Sequence, residues 1–224
     1  MRKFMTISRW WGRQDGPAED WVRPHVLWLP QDQPQVLEYF ARLREMTEQY
    51  PDVIAPIADD DLHMTIQKIH PLTAAGARVD GAILASAATA VQKELADMEP
   101  FTIEIGPARA SGSAGLVDIW PEHGPDRLYQ RVRAGLTDAG LELPPAEKHF
   151  WCHMSCGYGV QDTDTPELAA RSDRLASDLG RQIRPGIRTN ATVSSVWLVW
   201  ERQHPAPVPR YTFERVHQLH LGKS

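Results

Sequence analysis

The chain has 224 residues and a mass of 25.2 kDa, room for one ordinary domain or two small lobes sharing a core. Its net charge of −5 and pI near 6.0 exclude a surface built to coat nucleic acid nonspecifically, which would be strongly basic. Local positive charge around a small phosphate or the end of an RNA is still compatible with that balance.

Residues 1–20 show no periodicity and contain Gly12, Gly16 and Pro17, so an irregular N-terminal segment is predicted ahead of a single domain over residues 21–222. The basic start Met1-Arg2-Lys3 leads into Arg9, Arg13, Asp15 and Glu19 rather than an apolar stretch, which argues against a secretory signal. No apolar run approaches the ~18 residues of a membrane-spanning helix. Pro24 to Pro30 reads as a strand. Asp32-Gln33-Pro34 opens a helix with Val36, Leu37, Phe40 and Leu43 on one face. Asp59-Asp60-Asp61 is an acidic turn, and the alternating residues behind it, to Lys68, form a strand. Asp80 starts a second helix with the stripe Leu84, Ala87, Val91 and Leu95.

Phe101 to Ile105 and Leu116 to Trp120 are two strands joined through Ser111-Gly112-Ser113. A third helix begins near Pro125, carries Leu128, Val132 and Leu136, and stops at Gly140. Phe150 to Tyr158 is a strand, and Thr165-Pro166 caps a fourth helix with Leu168, Leu175 and Leu179. Val193 to Trp200 and Tyr211 to Leu219 close the chain as strands. Several neighbouring strands are joined without a helix, which favours α+β with antiparallel sheets over a doubly wound parallel sheet. Cys152 and Cys156 lie four apart and cannot staple distant segments, so a reducing cytoplasm is expected.

Leu62-His63-Met64-Thr65-Ile66 and Cys152-His153-Met154-Ser155-Cys156 share one pattern: apolar, His, apolar, hydroxyl, apolar. Side chains alternate faces along a strand, so each would present an imidazole and a hydroxyl two residues apart, ~6–7 Å along the chain. That separation suits two contacts on one phosphate. Nine histidines and 22 Ser plus Thr give about one His-x-Ser/Thr by chance, so weight comes from the matched strand context of the pair. A helix precedes each motif strand. The bland reading is two sheet histidines bonded to nearby hydroxyls.

With these motifs the chain resembles the two-histidine phosphoesterases, which include the 2′-5′ RNA ligases and cyclic nucleotide phosphodiesterases. The resemblance rests on His63-Met64-Thr65 and His153-Met154-Ser155, on Leu29-Pro30 closing the first strand, and on Tyr211 and Leu221-Gly222 near the end. It covers roughly residues 21–222 and departs from the commoner threonine at Ser155. It implies a bilobal α+β fold, two antiparallel-sheet lobes with outer helices around a central cleft. It also implies catalysis by His63 and His153, phosphate binding by Thr65 and Ser155, and action on a nucleotide cyclic phosphate or an RNA terminus. No cofactor and no metal are implied, and a monomer is expected. A non-catalytic module binding a nucleotide or RNA end is the alternative.

Trp151 and Tyr158 flank the second motif and are candidates for stacking a base. Strand parity turns Trp151 toward His153 and Tyr158 away, unless Gly157 or Gly159 breaks the strand. Trp28, Trp120, Trp197 and Trp200 read as core or cleft wall. Lys68 and Arg202 sit at strand ends and are candidates to supply positive charge, although solvent is the usual environment of such positions. Arg181, Arg184 and Arg188 form a basic stretch before the penultimate strand. Asp61-Leu62-His63 is too little for a metallophosphatase, since the only asparagine is Asn190 and no Asn-His follows. A zinc site from Cys152, His153 and Cys156 fails because the strand sends His153 to the opposite face.

Overall fold

The chain's architecture was obtained as a computed structural model, which describes residues 1, 21–181, 187–204 and 207–222. The predicted irregular segment, Met1 apart, and Arg184 lie outside the described residues. In chain order the elements are β1 (Val22–Trp28), α1 (Pro34–Thr47), β2 (Ile54–Pro56), β3 (Met64–Lys68), α2 (Gly81–Leu95), β4 (Phe101–Ala110) and β5 (Ala114–Trp120). They continue as α3 (His123–Asp138), β6 (His153–Gly159), α4 (Pro166–Arg181), β7 (Thr189–Val193), β8 (Ser195–His204) and β9 (Arg210–His220).

Local chemistry sets the helix ends. Pro34 needs no amide partner in the first turn of α1. The Asp80 carboxylate accepts from the Ile83 amide at 2.9 Å, and Thr165 Oγ1 accepts from Leu168 at 3.2 Å. Gly140, with φ of 76°, turns the chain after α3. The stripe Leu84, Ala87, Val91 and Leu95 is fully buried, each large side chain worth about 1.5–3 kcal/mol. It meets α3 at Gly135, where a Cβ would stand 2.6 Å from the Val91 Cα, so only glycine allows this approach.

All the strands join one curled antiparallel sheet in the order β7-β4-β5-β6-β3-β1-β8-β9, with β2 added on β6. The two lobes, β7-β4-β5-β6 and β3-β1-β8-β9, meet through a single register pair, Met64↔Met154. Helices cross over this junction: α1, which precedes the first motif, packs on β6 and β7, whereas α3, which precedes the second, packs on β3. The α+β reading is realised in this form.

Two strands escaped the sequence reading. β2 is three residues long and pairs with Gly157–Gly159 on the same edge of β6 that β3 uses further along. Residues 58–62 loop out between them, with the Asp59–Asp61 stretch as a 3-10 turn. β7 exposes Asn190 and Thr192 while burying Ala191 and Val193, a half-buried edge strand against β4. The predicted strand Val193–Trp200 therefore splits at Ser194 into β7 and β8. Trp120 was expected in the core or cleft wall and is 47% exposed, because it ends β5 just before Pro121.

Candidate active site

Met64 and Met154 are buried against the helices, so alternation turns His63, Thr65, His153 and Ser155 to the other face of the sheet. Antiparallel register around the Met64↔Met154 pair sets His63 opposite Ser155 and Thr65 opposite His153. The two motifs therefore meet as a cross-paired set of two imidazoles and two hydroxyls, all half-buried.

Each imidazole is anchored in the same way. His63 Nδ1–H donates to the Asp61 carbonyl at 2.8 Å, and His153 Nδ1–H donates to the Trp151 carbonyl at 3.0 Å. A carbonyl only accepts, so the proton of each neutral ring sits on Nδ1, leaving Nε2 to take or give a proton. The turn that aims the Asp61 carbonyl is itself clamped. Gln31 Nε2 donates to the carbonyls of Asp59 and Leu62, both at 3.0 Å, and Arg44 pairs with the Asp59 carboxylate. Arg215 donates in turn to Gln31 Oε1 at 3.0 Å.

The two sides of the site differ. His63 lies against an aromatic wall, its ring 4.7 Å from Phe213 and 6.2 Å from Tyr211. Burial pushes its imidazole down to about 4. The Asp61 carbonyl opposes this, and the charges of His153 and Lys68 add to it. His153 stacks on Trp151 at 4.2 Å between ring centres, and the Arg109 guanidinium lies 5.2 Å from the same indole. Arg109 Nε donates to both Asp118 oxygens at 3.2 and 3.1 Å, and Asp118 pairs in register with His153. Burial also lowers His153, helped by Lys68 and Arg109, while the Trp151 carbonyl and Asp118 raise it.

Tyr158 needs correction as a stacking residue. It is 4% exposed, so neither ring face is open to a base. Between Gly115 and Leu116 the β5–β6 register shifts, pairing Gly157 and then Ser155 and skipping Cys156. That bulge reverses the parity beyond it and brings the Tyr158 hydroxyl to a hydrogen bond with Ser155. Trp151 is 46% exposed beside His153.

Lys68 is exposed, as a strand end usually is, and lies along the same cavity as Thr65 and His153, where it supplies the positive charge the sequence offered as its other role. Sequence reasoning missed a buried polar floor. His25 and Glu201 are 1% and 3% exposed, with His25 Nε2 3.9 Å from Glu201 Oε1. Burial drives His25 down to about 3 and Glu201 up to about 8, in each case against the charged form. Arg181 and Arg188 are tied to Asp178 and Glu104. Among the described residues, no three His, Cys, Asp or Glu side chains converge as metal ligands would.

A curled antiparallel sheet with an imidazole and a hydroxyl from each half, paired across its centre, is the architecture of a two-histidine phosphoesterase. The sequence matches the family model of the 2′-5′ RNA ligase superfamily over residues 32–205, and the chain belongs to that superfamily. Similar solved structures include TT0787 of Thermus thermophilus, with a TM-score of 0.60 at 14% identity over 90% of this chain and 99% of that one. A structure described as a phosphoesterase has a TM-score of 0.59 at 15% identity, covering 90% and 98%. E. coli LigT complexed with 3′-AMP has 0.57 at 15% identity, covering 89% and 97%. At these identities the likeness is one of fold. No curated protein matched the sequence. Family and fold together support a function of the 2′-5′ RNA ligase and phosphoesterase type. Among the described residues no helix is long and apolar enough to cross a membrane.

Proposed function

We propose that the protein is a phosphoesterase that opens a 2′,3′-cyclic phosphate, or cleaves or forms a 2′-5′ linkage, at the end of an RNA or on a nucleotide. One observation carries this reading. His63 and His153 flank a single strand-to-strand pair, each with Nδ1–H committed to a carbonyl and Nε2 left for proton transfer. In hydrolysis of a cyclic phosphate, one neutral imidazole takes a proton from water as its oxygen bonds to phosphorus. The bond from phosphorus to the leaving ribose oxygen breaks, and the second imidazole, protonated, delivers a proton there. One histidine serves as the base and the other as the acid, and the two exchange roles in the reverse reaction. A ribose hydroxyl in place of water gives the ligation direction.

Thr65 and Ser155 hydroxyls donate to the non-bridging oxygens, where negative charge grows in the transition state. Trp151 offers its open surface to a base. Two buried thiols, Cys152 and Cys156, suit a reducing cytoplasm.

The test is turnover of cyclic mononucleotides, cyclic-ended RNA and 2′-5′ dinucleotides, with products identified by phosphorus NMR. The family resemblance implies a 2′-phosphate product. Activity should survive exhaustive EDTA treatment, and His63→Ala or His153→Ala should each lower kcat/KM by about 10²- to 10⁴-fold in a folded protein. Binding of these phosphates without turnover would favour the non-catalytic module, and loss on chelation restored by a divalent metal would overturn the mechanism.

A further inference from the structure

The proton on His63 is placed by a backbone carbonyl, and a carbonyl is only as well aimed as the turn that carries it. Asp61 sits in the 58–62 excursion, where the Asp61 amide bonds the Ala58 carbonyl at 3.0 Å and the Leu62 amide bonds the Asp59 carbonyl at 3.3 Å. Gln31 reaches in from outside and grips the backbone of this turn. We propose that Gln31, aligned by Arg215, is a positioning residue for His63: it holds the Asp61 carbonyl where the ring keeps its proton on Nδ1 and Nε2 stays available for the reaction. The inference rests on the phosphoesterase reading above for its effect on turnover, and on geometry alone for its effect on the ring.

Both ends of the Gln31 amide are engaged. Its nitrogen donates to carbonyls on either side of Asp61, those of Asp59 and Leu62, both at 3.0 Å, with the Asp60 carbonyl further off at 3.4 Å. Tying both flanks to one nitrogen leaves the Asp61 peptide little room to rotate, and so fixes the carbonyl that the His63 Nδ1–H meets at 2.8 Å. An amide can be set either way round, and the reverse setting would turn its oxygen against two carbonyl oxygens. Arg215 excludes that setting, since a guanidinium only donates and its Nη2 lies 3.0 Å from Gln31 Oε1. Arg215 is oriented in turn by the Trp197 ring, whose centre is 5.3 Å from the guanidinium carbon.

The backbone under Gln31 is fixed as well. It stands in the tight turn between β1 and α1, closed by the Gln33 amide on the Pro30 carbonyl at 2.9 Å, and Pro30 and Pro34 bracket it with restricted φ angles. A run of side chains thus leads from Trp197 on β8 through Arg215 on β9 and Gln31 to the turn that carries Asp61. His153 is anchored separately, on the Trp151 carbonyl, and serves as an internal reference. Gln31 acts through the Asp61 carbonyl, so its loss belongs in kcat rather than in KM.

The experiment is nitrogen NMR of the histidine rings in the wild-type, Gln31→Leu and Arg215→Leu proteins, at a pH where both rings are neutral, with kinetics and thermal melting alongside. Wild-type His63 and His153 should each show a protonated Nδ1 and a bare Nε2. In Gln31→Leu the His63 signals should move toward a mixture of the two tautomers while His153 keeps its pattern. Turnover of the best of the phosphates named above should fall by about 10- to 100-fold in kcat, with KM nearly unchanged. Arg215→Leu, at an exposed position, should act in the same direction to a smaller degree. Adding it to Gln31→Leu should cost little more, because the two act through one contact. A folded Gln31→Leu protein with an unaltered His63 tautomer would overturn the proposal even if it melts earlier, since that is what a merely structural clamp gives. An equal change at both rings would overturn it too. If Gln31→Leu does not fold, Arg215→Leu decides by the same signals. If the wild type turns over none of the phosphates, the phosphoesterase reading fails separately, and the ring signals alone decide the role of Gln31.

Discussion

On the proposed mechanism, in which Ser155 binds the phosphate, removing its hydroxyl and removing the Tyr158 hydroxyl that meets it should have unequal consequences. Ser155→Ala and Thr65→Val each delete one transition-state donor and should slow turnover by about 10- to 1,000-fold. Both proteins should stay folded, since these side chains lie on the face opposite the buried methionines. Tyr158→Phe leaves the donor but frees its rotamer, so a loss of several-fold in kcat/KM is expected. Adding Tyr158→Phe to Ser155→Ala should then change almost nothing, because two groups acting through one hydrogen bond are non-additive. Full additivity of the two losses would mean that Tyr158 acts on the substrate without Ser155. The relation was hidden in the sequence by a single skipped residue: Cys156 drops out of the register, and strand parity gives the opposite face for Tyr158.

The short strand β2 and the 58–62 excursion make the placement of His63 a property of elements rather than of residues. Ile54 and Ala55 lie so close to Gly157 that a Cβ there would come within 2.7 Å of Ile54 Cδ1 and 2.8 Å of the Ala55 carbonyl. Gly157→Ala should therefore prise β2 from β6 and lower stability by about 1–3 kcal/mol, the usual scale of overpacking. Because Asp61 hangs from the same segment, kcat/KM should fall as well, which thermal melting and kinetics would show together. A stable variant with unaltered kinetics would show that β2 does not position the turn. The helices were legible because a 3.6-residue stripe such as Leu84, Ala87, Val91 and Leu95 is a local signal. Both motifs were legible because an alternating strand declares its faces. β2 was not, since three residues ending in proline carry no period, and the Gln31 clamp was not, since 28 residues separate it from the Asp59 carbonyl it holds. For Lys68 the sequence locates an exposed strand end, while the neighbouring strands decide what it overlooks.

At the scale of the whole molecule, one continuous sheet ties both lobes together, so its stability should respond as a unit to the buried groups under the cleft. Glu201 and His25 make opposite demands on pH. Burial raises Glu201 from 4.5 to about 8, the nearby Lys68 charge opposing it, so between those values the folded protein keeps a proton that the unfolded chain releases. Stability from this group is fully present below pH 4.5 and declines as pH rises through 8. His25 is lowered from 6.5 to about 3, so between those values the unfolded chain binds the extra proton, and stability rises with pH over that range. The two limbs together place a maximum in the weakly acidic range. Glu201→Gln keeps the shape of the protonated side chain and removes its titration. At pH 5 the variant should melt close to the wild type, whereas at pH 9 it should be the more stable protein, by an amount on the order of a few kcal/mol. The acid limb, which belongs to His25 and His63, should be unchanged. Melting curves from pH 4 to 9 decide the matter. A Glu201→Gln protein less stable than wild type at pH 9 would show that the carboxylate is ionised in the fold and held there by Lys68.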